Sequence, residues 1–339
     1  MTPAKVRWGF LSTARINRRI LAAAEKSELA EVVAVASRDA DRADAYAVEH
    51  DIARSHGSYE ALVEDPDVDA VYISLPNSLH VEWSVRALTA GKHVLCEKPL
   101  TRSPEDAEEA FDAAERAGRV LMEAFMWRHS PQTAKLVQLV EGGVIGELQL
   151  VRATFSFPLE GRRNIRLDPD LDGGALMDVG AYCVSAARLL GGEPQRVYGE
   201  QVIGDSRVDV LFTGVLRFPR GVLAEIDAGM HLPRRDGLEA VGTEGSLVIP
   251  DPWLAQRLVL HLRRGESREE IALPPADPYR LELDNMCAAI AGEAEPLLGR
   301  DDAVGQARAL EALYRSADEG APVTLVCPAA HCNAGASRS

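Results

Sequence analysis

The chain has 339 residues, 46% of them hydrophobic, and a formal net charge of −15. That length suits two domains with real cores, no apolar run reaches the ~20 residues of a membrane span, and the acidity opposes nucleic acid and anionic membrane surfaces. Cys96, Cys183, Cys287, Cys327 and Cys332 are scattered and odd in number, so no disulfide framework is expected. The N-terminus shows no secretory pattern, and the chain reads as cytoplasmic.

From the N-terminus, strands and helices alternate. KVRWGFL (5–11) reads as a strand and INRRILAAAEKS (16–27) as a helix, then EVVAVAS (31–37) as a strand and DADRADAYAVEH as a helix. DAVYISL (69–75) leads into HVEWSVRALTAG, which stops at Gly91. KHVLCEKPL (92–100) opens as a buried strand. RSPEDAEEAFDAAERAG follows, with Ser103 as N-cap, Pro104 at the first helical position, acids in the first turn and Gly118 at the end. RVLMEAF (119–125) is a further strand. Nearly continuous apolar strands between helices predict a parallel sheet covered on both faces, and right-handed crossovers make it a doubly wound domain over 1–126.

Beyond residue 127 the pattern changes. ELQLVRATFSF (147–157), VDVLFTGVLRF (208–218), GVLAEIDAGM (221–230) and RLVLHLRR (257–264) read as strands, with helices around 174–190, 279–292 and 301–318. This predicts an α+β domain over 127–325 with a mostly antiparallel sheet. Val208, Val210, Phe212, Val222, Ala224 and Ile226 mark one sheet face. Leu211, Val215 and Leu223 make the other more apolar than a solvated face should be, which predicts burial against a second subunit. The tail 326–339 holds Cys327, His331 and Cys332, but its small polar residues predict disorder, and no metal site is expected.

Ligands of a doubly wound sheet sit beyond the carboxyl ends of its strands. The first strand-to-helix turn reads GFLSTARIN, where a dinucleotide fold shows G-x-G-x-x-G/A. Ser12 and Ala14 take the first two glycine positions and Asn17 the third. Small residues there still let a backbone approach a pyrophosphate, with the Thr13 hydroxyl and Arg15 to hold it; an ordinary tight turn explains the same residues. At the end of the second strand, where an NAD-binding domain presents an acid to the ribose, this chain has Ser37 and Arg38, with Arg42 one turn later. A hydroxyl and guanidinium groups suit a 2′-phosphate.

Glu97, Lys98 and Pro99 end the strand of KHVLCEKPL. Oxidising a secondary alcohol removes a hydride from carbon while a base takes the hydroxyl proton, and a cation beside that oxygen stabilises the developing charge. Lys98 stands where such a cation is needed, Glu97 can orient it, and a solvated pair at a strand end is the bland alternative. In GGALMDVGAYCVSAARLLGG, Asp178 and Tyr182 are four residues apart, on one face of a helix, among apolar neighbours.

GFLSTARIN, SRD (37–39), LPNSLH (75–80), CEKPL (96–100), EAFMWRHSP (123–131) and GGALMDVGAY (173–182) occur together in this order. Over residues 5 to 325 the set resembles the glucose–fructose oxidoreductase and inositol dehydrogenase (Gfo/Idh/MocA) family, most of all its NADP-dependent xylose dehydrogenase and dihydrodiol dehydrogenase branch. The resemblance implies a Rossmann domain, a sheet-based substrate domain that makes a homodimer or homotetramer, and NADP(H) preferred over NAD(H). It places Ser12, Thr13, Ala14, Arg15 and Ile16 on the cofactor, with Ser37, Arg38 and Arg42. Leu75, Pro76, Asn77 and His80 follow along it, as do Glu97, Lys98 and Arg128. It assigns proton transfer to Tyr182, assisted by Asp178, beside Lys98. His80 has an alternative as a first-turn helix residue and Trp127 as interdomain packing rather than a sugar wall; Asn164 and Arg166 are further substrate candidates. Three activities stay open: an NADP-dependent oxidoreductase on a sugar or polyol, a glycosidase using transient oxidation by a held cofactor, and a non-catalytic NADP(H) sensor.

Overall fold

A computed structural model describes residues 5–161 and 164–325. Two compact units divide the chain. The first takes residues up to Ala134 with Asp170–Asp172 and Pro274–Ala307; the second takes Lys135–Pro169, Gly173–Leu273 and the chain from Arg308. The 326–339 tail lies outside the described residues.

In the first unit the elements run β1 (Val6–Leu11), α1 (Asn17–Ala24), β2 (Ala30–Ala36), α2 (Ala40–Glu49), β3 (Arg54–His56), α3 (Tyr59–Val63), β4 (Ala70–Ile73), α4 (His80–Thr89), β5 (His93–Glu97), α5 (Pro104–Ala117) and β6 (Leu121–Ala124). All neighbours pair parallel, in the order β3-β2-β1-β4-β5-β6. This is the doubly wound sheet that the apolar runs predict. Its order reverses between β1 and β4, so the loops after these strands flank a crevice. Every residue of β4 is buried, as are Val94, Leu95 and Cys96 of β5, which is why these strands read as continuous apolar runs. α5 starts as expected: the Ser103 side chain accepts the Asp106 amide, Pro104 opens the helix, and Gly118 ends it at φ 60°.

The second unit has α6 (Pro131–Glu141) at its start, then β7 (Leu148–Pro158), α7 (Ala181–Gly191), β8 (Arg196–Ile203), β9 (Asp209–Arg217), β10 (Leu223–Gly229), β11 (His231–Gly242), β12 (Ser246–Ile249), β13 (Val259–Arg264) and β14 (Ser267–Ala272). The chain ends in α8 (Pro278–Ile290), α9 (Arg300–Glu319) and β15 (Val323–Thr324). Nine strands are ordered β14-β13-β12-β11-β7-β10-β9-β8-β15, and only β7 with β10 is parallel. One face buries Val210, Phe212, Ala224 and Ile226, with α7 packed over β7 and β10. The other leaves Val202, Ile203, Val215 and Leu223 exposed and Leu211 half-buried, among ion pairs such as Arg152–Glu225 at 2.9 Å.

One segment departs from the linear reading. Pro274–Ala307, assigned in the sequence to the second domain, belongs to the first unit. The apolar face of α8, with Leu283, Met286 and Cys287 buried, packs on α1, β2 and the turn at 126–129. Among the described residues no helix is long and apolar enough to cross a membrane, and no group of three or more His, Cys, Asp or Glu is arranged to hold a metal.

Candidate active site

Ser12, directly after β1, has φ 130°, a backbone region that glycine enters freely and serine does not. A polar frame holds it there. The Ser12 hydroxyl lies 2.8 Å from Ser74 Oγ and accepts the Ala14 amide at 3.1 Å. Asn17 Nδ2 donates to the Ser12 carbonyl at 2.7 Å, and Ser74 Oγ donates to Asn17 Oδ1 at 2.6 Å. Serine and asparagine at fingerprint positions therefore build by hydrogen bonds what glycines reach by freedom. No side chain caps the start of α1; the amides of Asn17, Arg18 and Arg19 donate instead to the carbonyls of Ala14, Arg15 and Ile16 at 3.1, 3.4 and 2.8 Å.

Beside that turn lies a groove of about 270 Å³, lined by Thr13, Ala14, Arg15, Arg18, Arg42, Ala45, Tyr46 and Glu49. Arg18 pairs with Glu49 at 3.1 Å. Ser37 is buried, and its hydroxyl accepts the Asp39 amide at 3.3 Å; Arg38 and Arg42 are exposed. Asp39 accepts the Arg42 amide at 3.1 Å as N-cap of α2. The nearest carboxylate to the end of β2 is thus committed to capping, and arginines remain. Arg18, Tyr46 and Glu49 were missed in the sequence, although residues 42, 45, 46 and 49 share one helical face.

Glu97, the last residue of β5, receives the Tyr72 hydroxyl on Oε1 and the Lys98 amide on Oε2, the latter at 3.3 Å. The Lys98–Pro99 peptide is cis. His80 is buried between the two loops that follow β4 and β5: Nδ1 is 2.8 Å from the Pro99 carbonyl and Nε2 2.9 Å from the Leu75 carbonyl. Burial pulls its pKa down to about 4, and a neutral imidazole donates to one of the two carbonyls at a time. His80 thereby ties the Leu75–Pro76 loop to the Lys98–Pro99 turn with both ring nitrogens engaged. Asn77 Nδ2 donates to the Asp172 carbonyl at 2.8 Å. Trp127 is fully buried, which favours packing over a sugar-facing wall. Arg128 pairs with Asp302 at 3.1 Å and lies 5.8 Å from the Trp127 ring centre.

In the second unit, one π-helical turn, Leu176–Gly180, runs directly into α7; such turns recur at functional sites. It carries Asp178, whose Oδ2 accepts from Arg166 Nε at 2.6 Å. Asn164 fixes Arg166 in turn by accepting its amide at 3.1 Å. The structure thus brings Asn164, Arg166 and Asp178 together as one chain of contacts. Tyr182 stands edge-on to Phe155 at 5.4 Å and to Trp253 at 5.7 Å, and Trp253 Nε1 is anchored to the Thr154 carbonyl at 2.9 Å. Asp209 starts the segment by accepting the Leu176 amide at 2.7 Å and the Tyr314 hydroxyl at 2.9 Å. Phe155, Trp253 and Asp209 carry no sequence signal of this role.

Residues 6–125 match the oxidoreductase family with an NAD-binding Rossmann fold, and residues 133–248 match the GFO/IDH/MocA C-terminal domain. The chain belongs to the Gfo/Idh/MocA family of oxidoreductases. It is 40% identical to the D-xylose 1-dehydrogenase (NADP(+)) 2 of Haloferax volcanii, covering 94% of this chain and 99% of that one. Among solved structures it resembles a 3-ketoreductase of Actinomadura kijaniata in complex with NADP and TDP-benzene (TM-score 0.88, 35% identity, 92% of this chain and 98% of that one). That reductase is also solved with one lysine replaced by alanine or glutamate, and with one tyrosine replaced by phenylalanine. The aldose-aldose oxidoreductase of Caulobacter crescentus is similar too (TM-score 0.88, 29% identity, 95% and 100% covered).

The first unit of this Gfo/Idh/MocA protein fits the family's dinucleotide. Ser12 sits in the glycine-like conformation at the turn before α1, and the adjoining groove is lined by three arginines.

Proposed function

We propose that this chain is an NADP(H)-dependent oxidoreductase that interconverts a secondary alcohol and a carbonyl on a sugar or sugar-like polyol. The observation that carries the cofactor choice is the end of β2, where Ser37, Arg38 and Arg42 stand in place of a free carboxylate. A 2′-phosphate has partners there and a ribose diol lacks its usual acceptor. The xylose dehydrogenase, the 3-ketoreductase and the aldose-aldose oxidoreductase support the substrate class.

Bound nicotinamide supplies the hydride acceptor or donor. The protein's part is the proton and the charge. We assign proton transfer to Tyr182 with Asp178 assisting, and stabilisation of the substrate oxygen to Lys98. The lysine and tyrosine replaced in the 3-ketoreductase are separated by the same number of residues as Lys98 and Tyr182, which supports this pairing. Arg166 holds the Asp178 carboxylate in one orientation, and Asn164 holds Arg166. Retention of both Lys98 and Tyr182 favours a catalyst over a sensor. We further propose that the exposed apolar side of the nine-stranded sheet joins two copies of the chain. Among the described residues the free, buried thiols Cys96, Cys183 and Cys287 suit a reducing cytoplasm.

A panel of aldoses, ketosugars, inositols and dihydrodiols, assayed with NADP(H) and NAD(H) in both directions by nicotinamide absorbance, tests the proposal. Turnover on a polyol with NADP(H) ahead of NAD(H) is the expected result; sugar hydrolysis with no net change in cofactor would assign the glycosidase activity instead.

A further inference from the structure

β6 reads LMEA, and all four of its residues are buried. Glu123 is 1% exposed, an acid in a strand whose other side chains are apolar, and the reaction scheme gives it no task. A carboxyl in such a place loses its hydration and needs a hydrogen bond in return. Glu123 Oε1 has one: it accepts the amide of Leu100 at 2.7 Å, and Leu100 is itself 1% exposed.

That bond runs from β6 to the turn that carries Lys98. In the parallel pairing Glu123 stands opposite Cys96, and Ala124 opposite Glu97. The side chain therefore reaches past the end of β5 to an amide beyond its strand partner. Glutamate has the length for this, and aspartate is one methylene shorter. Three side chains from three elements thus hold successive backbone groups of the turn. Glu97 of β5 accepts the Lys98 amide at 3.3 Å, His80 of α4 has Nδ1 2.8 Å from the Pro99 carbonyl, and Glu123 of β6 accepts the Leu100 amide. Glu97 and His80 hold the entry and the middle of the turn. With the Glu123 acceptor removed, the buried Leu100 amide is left unpaired, and the chain on the far side of Lys98 moves to relieve that cost.

We propose that Glu123 is a positioning residue for Lys98: by accepting the Leu100 amide it sets the exit of the Lys98–Pro99 turn, and with it the direction in which the Lys98 side chain leaves the strand end. This rests on the catalytic role proposed for Lys98. The device needs reach and an acceptor oxygen, and it does not need charge. Glutamine keeps both. Aspartate keeps the carboxyl and loses the reach, while methionine keeps the length and loses the oxygen.

The test uses the full-length protein with NADP(H) and D-xylose, or the polyol turned over fastest in the panel above. Turnover should stay within about twofold of wild type in Glu123→Gln and fall roughly ten- to a hundredfold in folded Glu123→Met and Glu123→Asp, with the KM for NADP(H) unchanged, the scale of a misplaced catalytic group. Placed on a Lys98→Met background, Glu123→Met should cost nothing more, because the group it positions is gone. Equal loss in Glu123→Gln and Glu123→Met overturns the proposal, as does full turnover in Glu123→Met or its full loss repeated on the Lys98→Met background. In wild type the Leu100 amide should exchange its hydrogen as slowly as the β5 amide of Leu95. Prompt exchange at Leu100 overturns the proposal even where no variant folds. Full turnover in Lys98→Met would refute the catalytic scheme instead, while leaving the Leu100 amide protected.

Discussion

Replacing Asp209 by asparagine removes one proton-binding site from the core of the second unit while barely changing its volume. Asp209 is 3% exposed, and burial pushes its carboxyl from 3.8 up to about 6 despite the Leu176 amide and the Tyr314 hydroxyl that it accepts. Because the folded value is raised, the folded state binds more protons than the unfolded chain between pH 3.8 and about 6, and stability falls as pH rises through that window. At about 1.4 kcal/mol per unit the shift costs the folded protein about 3 kcal/mol once Asp209 is fully ionised. Asparagine does not titrate. Its carbonyl can accept the Leu176 amide and its amino group can meet the Tyr314 oxygen, at a loss of about 1 kcal/mol for neutral in place of charged hydrogen bonds. The expected result is a stability difference, Asp209→Asn minus wild type, that climbs by about 3 kcal/mol from pH 4 to pH 7 and then levels off. Urea unfolding of both proteins across that range measures it, and the subtraction cancels every other titrating group. A difference that stays constant with pH would refute the argument.

Arg38→Ala should weaken NADP(H) binding roughly ten- to a hundredfold and NAD(H) binding little, the scale of a charge-assisted contact of about 1.5–3 kcal/mol; titration with both cofactors checks this, and equal losses count against a 2′-phosphate contact. Lys98→Met and Tyr182→Phe should each cut turnover with NADP(H) binding nearly intact, and the double variant should lose little more than the worse single, because residues acting on one step are non-additive. Independent multiplicative losses in steady-state kinetics would separate the two roles. Leu211→Glu, on the exposed side of the nine-stranded sheet, should yield monomers or insoluble protein, whereas a wild type that sediments as a monomer at micromolar concentration would end the dimer proposal.

The architecture was legible where local and global signals agree. Buried parallel strands such as β4 and β5 are continuous apolar runs, and α5 announces both of its ends through Ser103, Pro104 and Gly118. β3, a half-buried Arg-Ser-His, has no apolar signal and was not seen. α8 was seen but placed with its sequence neighbours, since nothing in a linear pattern tells a helix which apolar surface it will cover. The phosphate turn shows the same limit more sharply. Its missing glycines weakened the motif because the compensating partner of Ser12, Ser74, lies on the loop after β4, far along the chain. His80 stood inside a recognisable motif, yet its role follows from two carbonyls, Leu75 and Pro99, that only the folded loops bring to one ring.

The residues proposed for chemistry share a construction that explains why their types were readable and their settings were not. Each projects from the end of a regular element, where sequence punctuation reveals it, and Asp178, Tyr182 and the Glu97 that precedes Lys98 are held by groups from elsewhere in their own unit. Tyr72 on β4 orients Glu97 at the end of β5, and Arg166 orients Asp178 on its π-turn. Phe155 and Trp253, stacked on each other at 5.9 Å, both pack edge-on with the Tyr182 ring, and Trp253 is itself tied to β7 through the Thr154 carbonyl. A ring packed against a stacked aromatic pair loses little further freedom when its hydroxyl engages a substrate oxygen, so the ordering cost falls on folding rather than on the catalytic step. Replacement of Trp253 should therefore lower turnover through Tyr182 without touching the reacting atoms, which is the behaviour of a supporting residue and not of an acid or base.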